Sequence, residues 1–456
     1  MGHMDHPWGA LSDVIKGQVL LPEADAYDEA RKPAIDRFHG VRPEAVVRCA
    51  GEDDVAEALS FARAQGIQVR VRGGGHCFAG RSTTEGMVLD TTPMNAVEAG
   101  GDQGGDRVVI GAGARLGDVY DALASRGVTI PAGCGPTVGI AGLALGGGLG
   151  ILGRLYGLTC DSLEVARVVL PDGRTVVCDA EREPELFWAL RGAGAAGFGV
   201  VTSLTFRTLP APREATTLHL SWPAEHAAAL ISGWQEHAPD APAEMAASLL
   251  VRADGDPASP PTVHLFGAMI GGEAETRVRL NDLAGRIGVA PRSVLLRTLP
   301  FRETKRFLAE YEVQGEAAPG SHGHIRSGFF RRTVPEGAVA ELVRGFAAGR
   351  VPGEARELDF SPWLGAYNEV DEDATAFVHR RERFLLKLTA AVPEGREPSR
   401  WLADGWDAVR PWSTGGIYAN FPQPELGPLS PAYYLGNCDR VVQAKRRYDP
   451  EGLLGR

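Results

Sequence analysis

Several things are scarce in this sequence, and each scarcity excludes a class of protein. No run of about 18 apolar residues occurs, so nothing reads as a membrane-spanning helix. Basic charge is in deficit: 47 Lys and Arg stand against 58 Asp and Glu, a net charge of -11 spread along the chain. That balance argues against nucleic acid or an anionic membrane surface as the main partner. Cysteine is sparse and unpatterned. Cys49, Cys77, Cys134, Cys160, Cys178 and Cys438 form no CxxC pair and no regular framework, which reads as free thiols in a reducing compartment, with Cys134 set apart below. Met1 to Met4 reads as a cloning remnant. Asp5 to Leu21 carries neither a basic nor an apolar leader segment, so a cytoplasmic location is the expectation. No internal period or low-complexity tract stands out.

What is present is glycine, 58 residues of it, clustered rather than repeated. A chain of 456 residues exceeds one compact core and fits two or three domains. Residues 43–72 read as strand, helix and strand: Ala45–Cys49 is a short apolar run, Val55, Ala56, Leu59 and Ala62 share a helical face, and Ile67–Val71 alternates. Further strands are predicted at Met87–Asp90, Arg107–Gly111, Leu163–Leu170, Thr175–Cys178 and Val200–Leu209. Helices are predicted at Leu116–Arg126 and Glu185–Leu190. Pro210-Ala211-Pro212 marks the first clear boundary. Beyond it the pattern predicts helices at Ala224–Glu236, Glu273–Ile287, Trp401–Val409 and Tyr434–Arg447. It predicts strands at Val263–Ala268, Ile325–Phe330, Glu357–Pro362, Phe384–Thr389 and Gly416–Phe421. The fold class is α+β.

Two segments imitate dinucleotide loops. Gly111-Ala-Gly113-Ala-Arg-Leu-Gly117 has one gap too long. Gly192-Ala-Gly194-Ala-Ala-Gly197 has the right spacing, but a helix precedes it and a strand follows. A Rossmann fingerprint needs strand, loop and then helix, so that the helix N-terminus meets the pyrophosphate. The stronger candidate is Arg72-Gly73-Gly74-Gly75-His76-Cys77-Phe78-Ala79-Gly80, whose consecutive glycines expose backbone N–H groups and permit close approach to a ligand. Taken alone, three glycines also describe a plain turn.

Four stretches carry a resemblance. They are the Arg72–Gly80 loop; Gly133-Cys134-Gly-Pro-Thr137-Val138-Gly139-Ile-Ala-Gly142-Leu-Ala-Leu-Gly146-Gly147-Gly148-Leu149-Gly150; Leu186–Gly192 with Gly197–Thr202; and Asn437, Lys445 and Tyr448-Asp449-Pro450. Together they are similar to the berberine-bridge-enzyme-like branch of the FAD-linked oxidases, which has the vanillyl-alcohol-oxidase (PCMH-type) flavin fold. The resemblance implies a two-part FAD-binding domain, residues 5–208 with a C-terminal return at 422–456. It also implies a substrate domain, 209–421, with an antiparallel sheet backed by helices. It implies FAD held on two covalent bonds, from His76 to the flavin 8α carbon and from Cys134 to C6. Arg72, Gly73, Gly74, Gly75, Cys77, Gly80, Thr137, Val138, Gly139, Gly142, Gly147, Gly148, Gly150, Asp161, Gly197, Gly199, Val201 and Asn437 fall at the family's cofactor positions. Asn437 and Tyr448 also read as packing residues of the returning helix.

The chemistry asks for these residue types. Attack on the 8-methyl position needs neutral imidazole, and addition at C6 needs a thiolate. Read alone, His76 is a polar turn residue and Cys134 a small buried hydrophobe. Oxidation passes a hydride to the flavin while a base takes a proton. Leu149 stands where many plant members carry the Tyr that assists. That leaves Tyr418, in Tyr418-Ala-Asn420-Phe421, as candidate base with Asn420 orienting it; a packed strand aromatic is the plainer reading. His322 and His324 read as a solvated loop, without a third ligand for a metal. Tyr367 is a further pocket candidate, and Asp371-Glu372-Asp373 reads as a solvated acidic turn. The implied reaction is oxidation of a C–H next to a hydroxyl, in a sugar or secondary metabolite, with dioxygen as acceptor. Oxidation beside an amine, as in bacterial nicotine-type oxidases, is the alternative. Oligomeric state is not legible.

Overall fold

The computed structural model describes residues 7–100, 106–314 and 321–455. The cloning remnant, the expected domain start at residue 5 and the final residue 456 lie outside the described residues.

The chain opens with a four-stranded sheet, in the order β1 (Gln18–Leu20), β2 (Ala45–Arg48), β4 (Met87–Asp90), β3 (Val69–Arg72). Strands β2, β3 and β4 are parallel, and Val46, Val47, Val88 and Leu89 are wholly buried, as parallel strands covered on both faces require. The crossover helix Glu52–Gln65 starts on three acidic residues and stops at Gly66, whose φ of 67° lets its N–H reach the Ala62 carbonyl. Its face of Val55, Ala58, Leu59 and Ala62 fills the core beneath. The Arg72–Gly80 loop leaves the end of β3.

A second, antiparallel sheet follows: β5 (Val97–Ala99), β6 (Arg107–Gly111), β10 (Val200–Arg207), β8 (Leu163–Val169) and β9 (Thr175–Cys178). A two-residue ribbon, β7 (Val128–Thr129) with β11 (Leu209–Pro210), leads out of it. The third sheet has seven antiparallel strands, in the order β15 (Ser293–Pro300), β12 (Glu214–Pro223), β14 (Thr262–Ile270), β13 (Met245–Ala253), β17 (Ala355–Pro362), β18 (Phe384–Pro393), β16 (Ser321–Phe330).

Strict alternation gives this large sheet two characters. Leu249, Val251, Leu358, Phe360, Leu386 and Leu388 point to one side, where helices Ala227–His237, Glu273–Ile287, Glu336–Ala347 and Trp401–Val409 cover them. The other side faces the glycine-rich segments. There Leu250, Phe266 and Ala268 pack on Ile151 and Leu152, and Phe329 and Leu385 pack with Leu158, Cys160 and Tyr418. Among the described residues no helix is long and apolar enough to cross a membrane.

Four local expectations need correction. Gly416–Phe421 is not a strand; Gly416 lies against the His379 ring and Phe421 N–H closes a turn on the Tyr418 carbonyl. His322 and His324 lie in β16, paired with Val392 and Ala390, rather than in a loop. They bond to Asp36 and Arg37. The last helix is broken: Leu435 takes φ 43°, so Pro431–Tyr434 stops there and Cys438–Tyr448 starts afresh. Strands β12, β13 and β15 and helices Phe301–Gln314 and Glu336–Ala347 were not anticipated at all.

Candidate functional site

The two glycine segments meet backbone to backbone. A Cβ on Gly74 would sit 2.2 Å from the Gly139 nitrogen, and one on Gly139 would sit 2.4 Å from the Gly74 nitrogen. No other residue type permits that approach. The junction brings Thr137 beside the first tether candidate: its Oγ1 lies 3.0 Å from His76 Nε2. Burial, helped by the Arg115 charge and opposed by a hydrogen bond with the Thr137 backbone, lowers the His76 pKa. The ring is therefore neutral, with a nitrogen lone pair available. Gly75, with φ 76°, turns the chain toward His76 while its carbonyl accepts the Ala34 N–H. Cys134 is half-buried, at the edge of the cluster that holds Ile151, Leu152, Phe301 and Leu308.

Open space begins beside these residues. Gly142 is exposed, with nothing within 4 Å of where its Cβ would stand, and Thr137 is exposed next to it. Val138 is half-buried, its carbonyl taking the Leu116 N–H. A flat anionic dinucleotide fits such a cradle, which offers backbone, small residues and two nucleophiles.

Other residues expected at the cofactor are engaged by the protein itself. The Arg72 guanidinium is buried and donates to the Ala30 and Arg31 carbonyls and to Asp90, anchoring the loop from behind. Gly147, Gly148 and Gly150 have no room for a Cβ, against Phe377, Thr159 and the Ala132 carbonyl respectively. Asp161 caps the Leu158 N–H at 2.8 Å and accepts both terminal nitrogens of Arg380, at 2.8 and 2.6 Å. Asn437 donates to the carbonyls of Glu372 and Thr375. The acidic turn is thus a hub: Glu372 also pairs with Arg331 and Arg381. Gly197 lies against the Leu454 carbonyl, Gly199 against Val168, and Val201 is buried. Gly80 turns with φ 69° over the Phe38 ring, its N–H on the Cys77 carbonyl, and Gly73 approaches Ala112.

Tyr418, the candidate base, is enclosed among hydrogen-bond donors. It is 2% exposed, and its oxygen receives the Gly148 and Leu149 N–H groups at 3.1 and 2.9 Å and the Asn420 amide at 3.1 Å. Burial pushes its pKa up to about 12, despite those donors. Asn420 also donates to the Leu143 carbonyl at 2.9 Å and fills the space a Cβ on Gly146 would need. The pair ties the 416–421 segment to the triple-glycine turn. Tyr367 is likewise closed in, stacked on Trp363 at 4.4 Å with its hydroxyl on the Gly150 carbonyl.

Titratable groups that keep part of their surface accessible stand on the large sheet. On its loop-facing side stand Arg252, Glu357, Asp359, Ser361 and Lys387. Lys387 Nζ lies 3.3 Å from Asp359 and 3.5 Å from Glu357, whose other oxygen takes Arg252 at 2.8 Å. The Asp359 and Lys387 side chains keep 18% and 20% of their surface open. Burial raises the Asp359 pKa, offset by Lys387 and reinforced by Glu357. Glu357 goes the other way, held low by Lys387 and Arg252 against its own burial. Nearby, His219 and His264 bond at 2.9 Å, and burial with its cationic neighbours takes His264 down to about 4. Lys387 lies 5.3 Å from the Phe421 ring, and that ring meets both Tyr418 and Phe78, two residues beyond His76. Sequence reading missed this group, although Glu357, Asp359 and Ser361 alternate within a strand it did anticipate.

Known proteins agree with this layout. Residues 43–179 match the FAD binding domain family and residues 417–455 the berberine and berberine-like family. An uncharacterized FAD-linked oxidoreductase of Bacillus subtilis, YgaK, is 30% identical over 454 residues, covering 96% of each chain. The solved 6-hydroxy-D-nicotine oxidase of Arthrobacter nicotinovorans superposes with a TM-score of 0.82 at 26% identity, over 96% of both chains. The glucooligosaccharide oxidase of Acremonium strictum matches in fold, with a TM-score of 0.87 at 22% identity over 100% of this chain and 98% of that one.

Proposed function

Since the chain belongs to the berberine-bridge-like FAD-linked oxidoreductases, we propose that it oxidises a small alcohol, of the sugar or secondary-metabolite kind, on FAD tethered through His76 and Cys134. Bound FAD supplies the hydride acceptor and the route for electrons to dioxygen, giving hydrogen peroxide.

The protein's own part divides between the two sides of the site. The joined loops supply His76 as a neutral nucleophile beside Thr137 and Cys134 as the thiol. Gly139 and Gly142 supply backbone and space along the cofactor. Residues 209–421 supply the substrate side. There Asp359 carries the reading: a carboxylate of raised pKa, hydrogen-bonded by Ser361 at 3.0 Å and 3.3 Å from an ammonium, on the open face of the sheet. It accepts the hydroxyl proton as the C–H hydride leaves, and Lys387 keeps it ionised until then. This role replaces the one first assigned to Tyr418. Exclusion of water falls to Phe78 and Phe421, whose rings meet at 6.1 Å beside the Lys387 ammonium.

A second reading is oxidation at a C–H beside nitrogen. It is favoured by Leu149, which leaves no phenol at that position, and by two carboxylates able to hold an ammonium. Turnover on alcohol and amine panels with peroxide detection separates the two. Alcohol turnover that disappears in Asp359→Asn supports the first reading. Turnover confined to amines and unaffected by that change overturns it.

A further inference from the structure

One buried cation stands outside this scheme. Lys305, on the helix Phe301–Gln314, is 3% exposed, and no carboxylate among the described residues pairs with it. Lysine is rarely buried without such a partner. Its Nζ donates to the Ala132 carbonyl at 3.3 Å and lies 3.5 Å from the centre of the Tyr120 ring, with Phe301 at 5.4 Å. Tyr120 in turn donates to the Gly133 carbonyl at 2.6 Å. Lysine and tyrosine therefore grip the two residues that precede Cys134. Cys134 packs against the cluster to which Phe301 and Leu308 of the same helix belong.

We propose that Lys305 is a positioning residue for the thioether bond: its amine takes the Cys134 proton, and the ammonium so formed holds the sulfur as a thiolate beside the flavin. The proposal rests on the tethered-FAD reading above. Three features support it. Burial brings the Lys305 pKa down to about 7, so a neutral amine is available to accept a proton. Among the described residues, Cys134 is the titratable group within electrostatic reach of the amine. The Tyr120 face stabilises the ammonium once formed, while burial and the Cys134 charge keep the phenol itself well above its usual pKa and protonated.

The step balances. The S–H bond breaks, an N–H bond forms on Nζ, and the sulfur pair bonds to flavin C6. The C6 hydrogen leaves as a proton, and the two electrons left on the ring pass to dioxygen. Thiol and ring each lose one hydrogen, and one hydrogen peroxide forms.

Purified holoenzyme is unfolded and digested, and the His76 and Cys134 peptides are weighed for attached FAD. In Lys305→Met the Cys134 peptide is expected to lose at least ten-fold in occupancy while the His76 peptide stays at wild-type level, which also certifies the fold. Lys305→Arg, a fixed cation that cannot take up the proton, is expected to lose occupancy as well. Unchanged Cys134 occupancy in the Met variant overturns the proposal. So does full occupancy in the Arg variant, because a guanidinium cannot take the thiol proton. If the wild-type Cys134 peptide itself carries no flavin, the tether reading fails there and the thiol is free. The pH midpoint of Cys134 alkylation in holoenzyme then decides: a rise of at least one unit in Lys305→Met supports the lysine's role, and no rise overturns it. If the Met variant yields no folded protein, Lys305→Gln replaces it under the same criteria.

Discussion

The two sides of the site are built on opposite principles. The loop side is made of backbone and missing side chains: Gly74 on Gly139, Gly146 on Asn420, Gly148 on Thr159. Its charges are neutralised and turned inward, Arg72 onto carbonyls and Asp161 onto Arg380. The sheet side keeps its charges facing the space, with Asp359, Glu357, Lys387 and Arg252 in one chain of contacts. A side that must lie close along a cofactor tolerates almost no added atom. A side that must recognise a substrate needs only a stiff frame on which side chains can change. Substitutions should therefore fail differently on the two sides.

The harshest test is Gly74→Ala. Its Cβ cannot coexist with the Gly139 nitrogen at 2.2 Å, so the loops must part. More than ten-fold less flavin should remain on acid-denatured protein, and full yellow colour would break the contrast between the sides. Next is Asp359→Asn, which should keep the flavin and lower turnover by about 10²–10⁴, the usual scale for a general base; unchanged steady-state rates would remove that role.

The seam between the sides gives the third. His379, buried and stacked on Phe329 at 4.2 Å with Nε2 on the Ile417 carbonyl, is pushed by burial down to about 3 from 6.5. The folded protein keeps it neutral, whereas the unfolded chain takes up a proton below pH 6.5. Its contribution is complete above pH 6.5 and is lost as pH falls toward 3, at up to about 1.4 kcal/mol per pH unit. Denaturant unfolding of His379→Gln between those limits should show a shallower pH slope; an identical slope would assign acid sensitivity elsewhere.

The mildest is Tyr418→Phe, which leaves the Gly148 and Leu149 N–H groups without their acceptor. It should cost about 1–3 kcal/mol of stability and change turnover less than ten-fold. A collapse of turnover at unchanged stability would return the phenol to the role of base and blur the two sides.

The same contrast explains what could be read beforehand. The His76 and Cys134 loops were legible because close approach demands glycine at fixed positions, and that demand survives in one dimension. The strands β2, β4, β6, β8, β9 and β10 carry apolar runs, and β3 alternates. The sheet side was harder: Met245–Ala253 is mostly small and apolar, without clear alternation, and Glu214–Pro223 opens on a mixed run. Asp359 was within reach, since Glu357, Asp359 and Ser361 alternate with Leu358 and Phe360. Lys305 also left a trace, at the spacing of Phe301 and Leu308 on one helical stripe. Tyr418 misled because an aromatic-rich run resembles a strand, whereas its register is set by contacts with Gly148 and Leu149 far away in the chain.

Lys445 binds the carbonyls of Gly197 and Leu454 at 2.6 and 2.8 Å and is itself held by Asp449. The glycine-rich half is thus buttressed by a side chain 248 positions further along the sequence. A ribosome that has completed the first two sheets has not yet produced the strut that closes them. Domains usually fold as they emerge, but this half gains that contact only after the seven-stranded sheet has been synthesised.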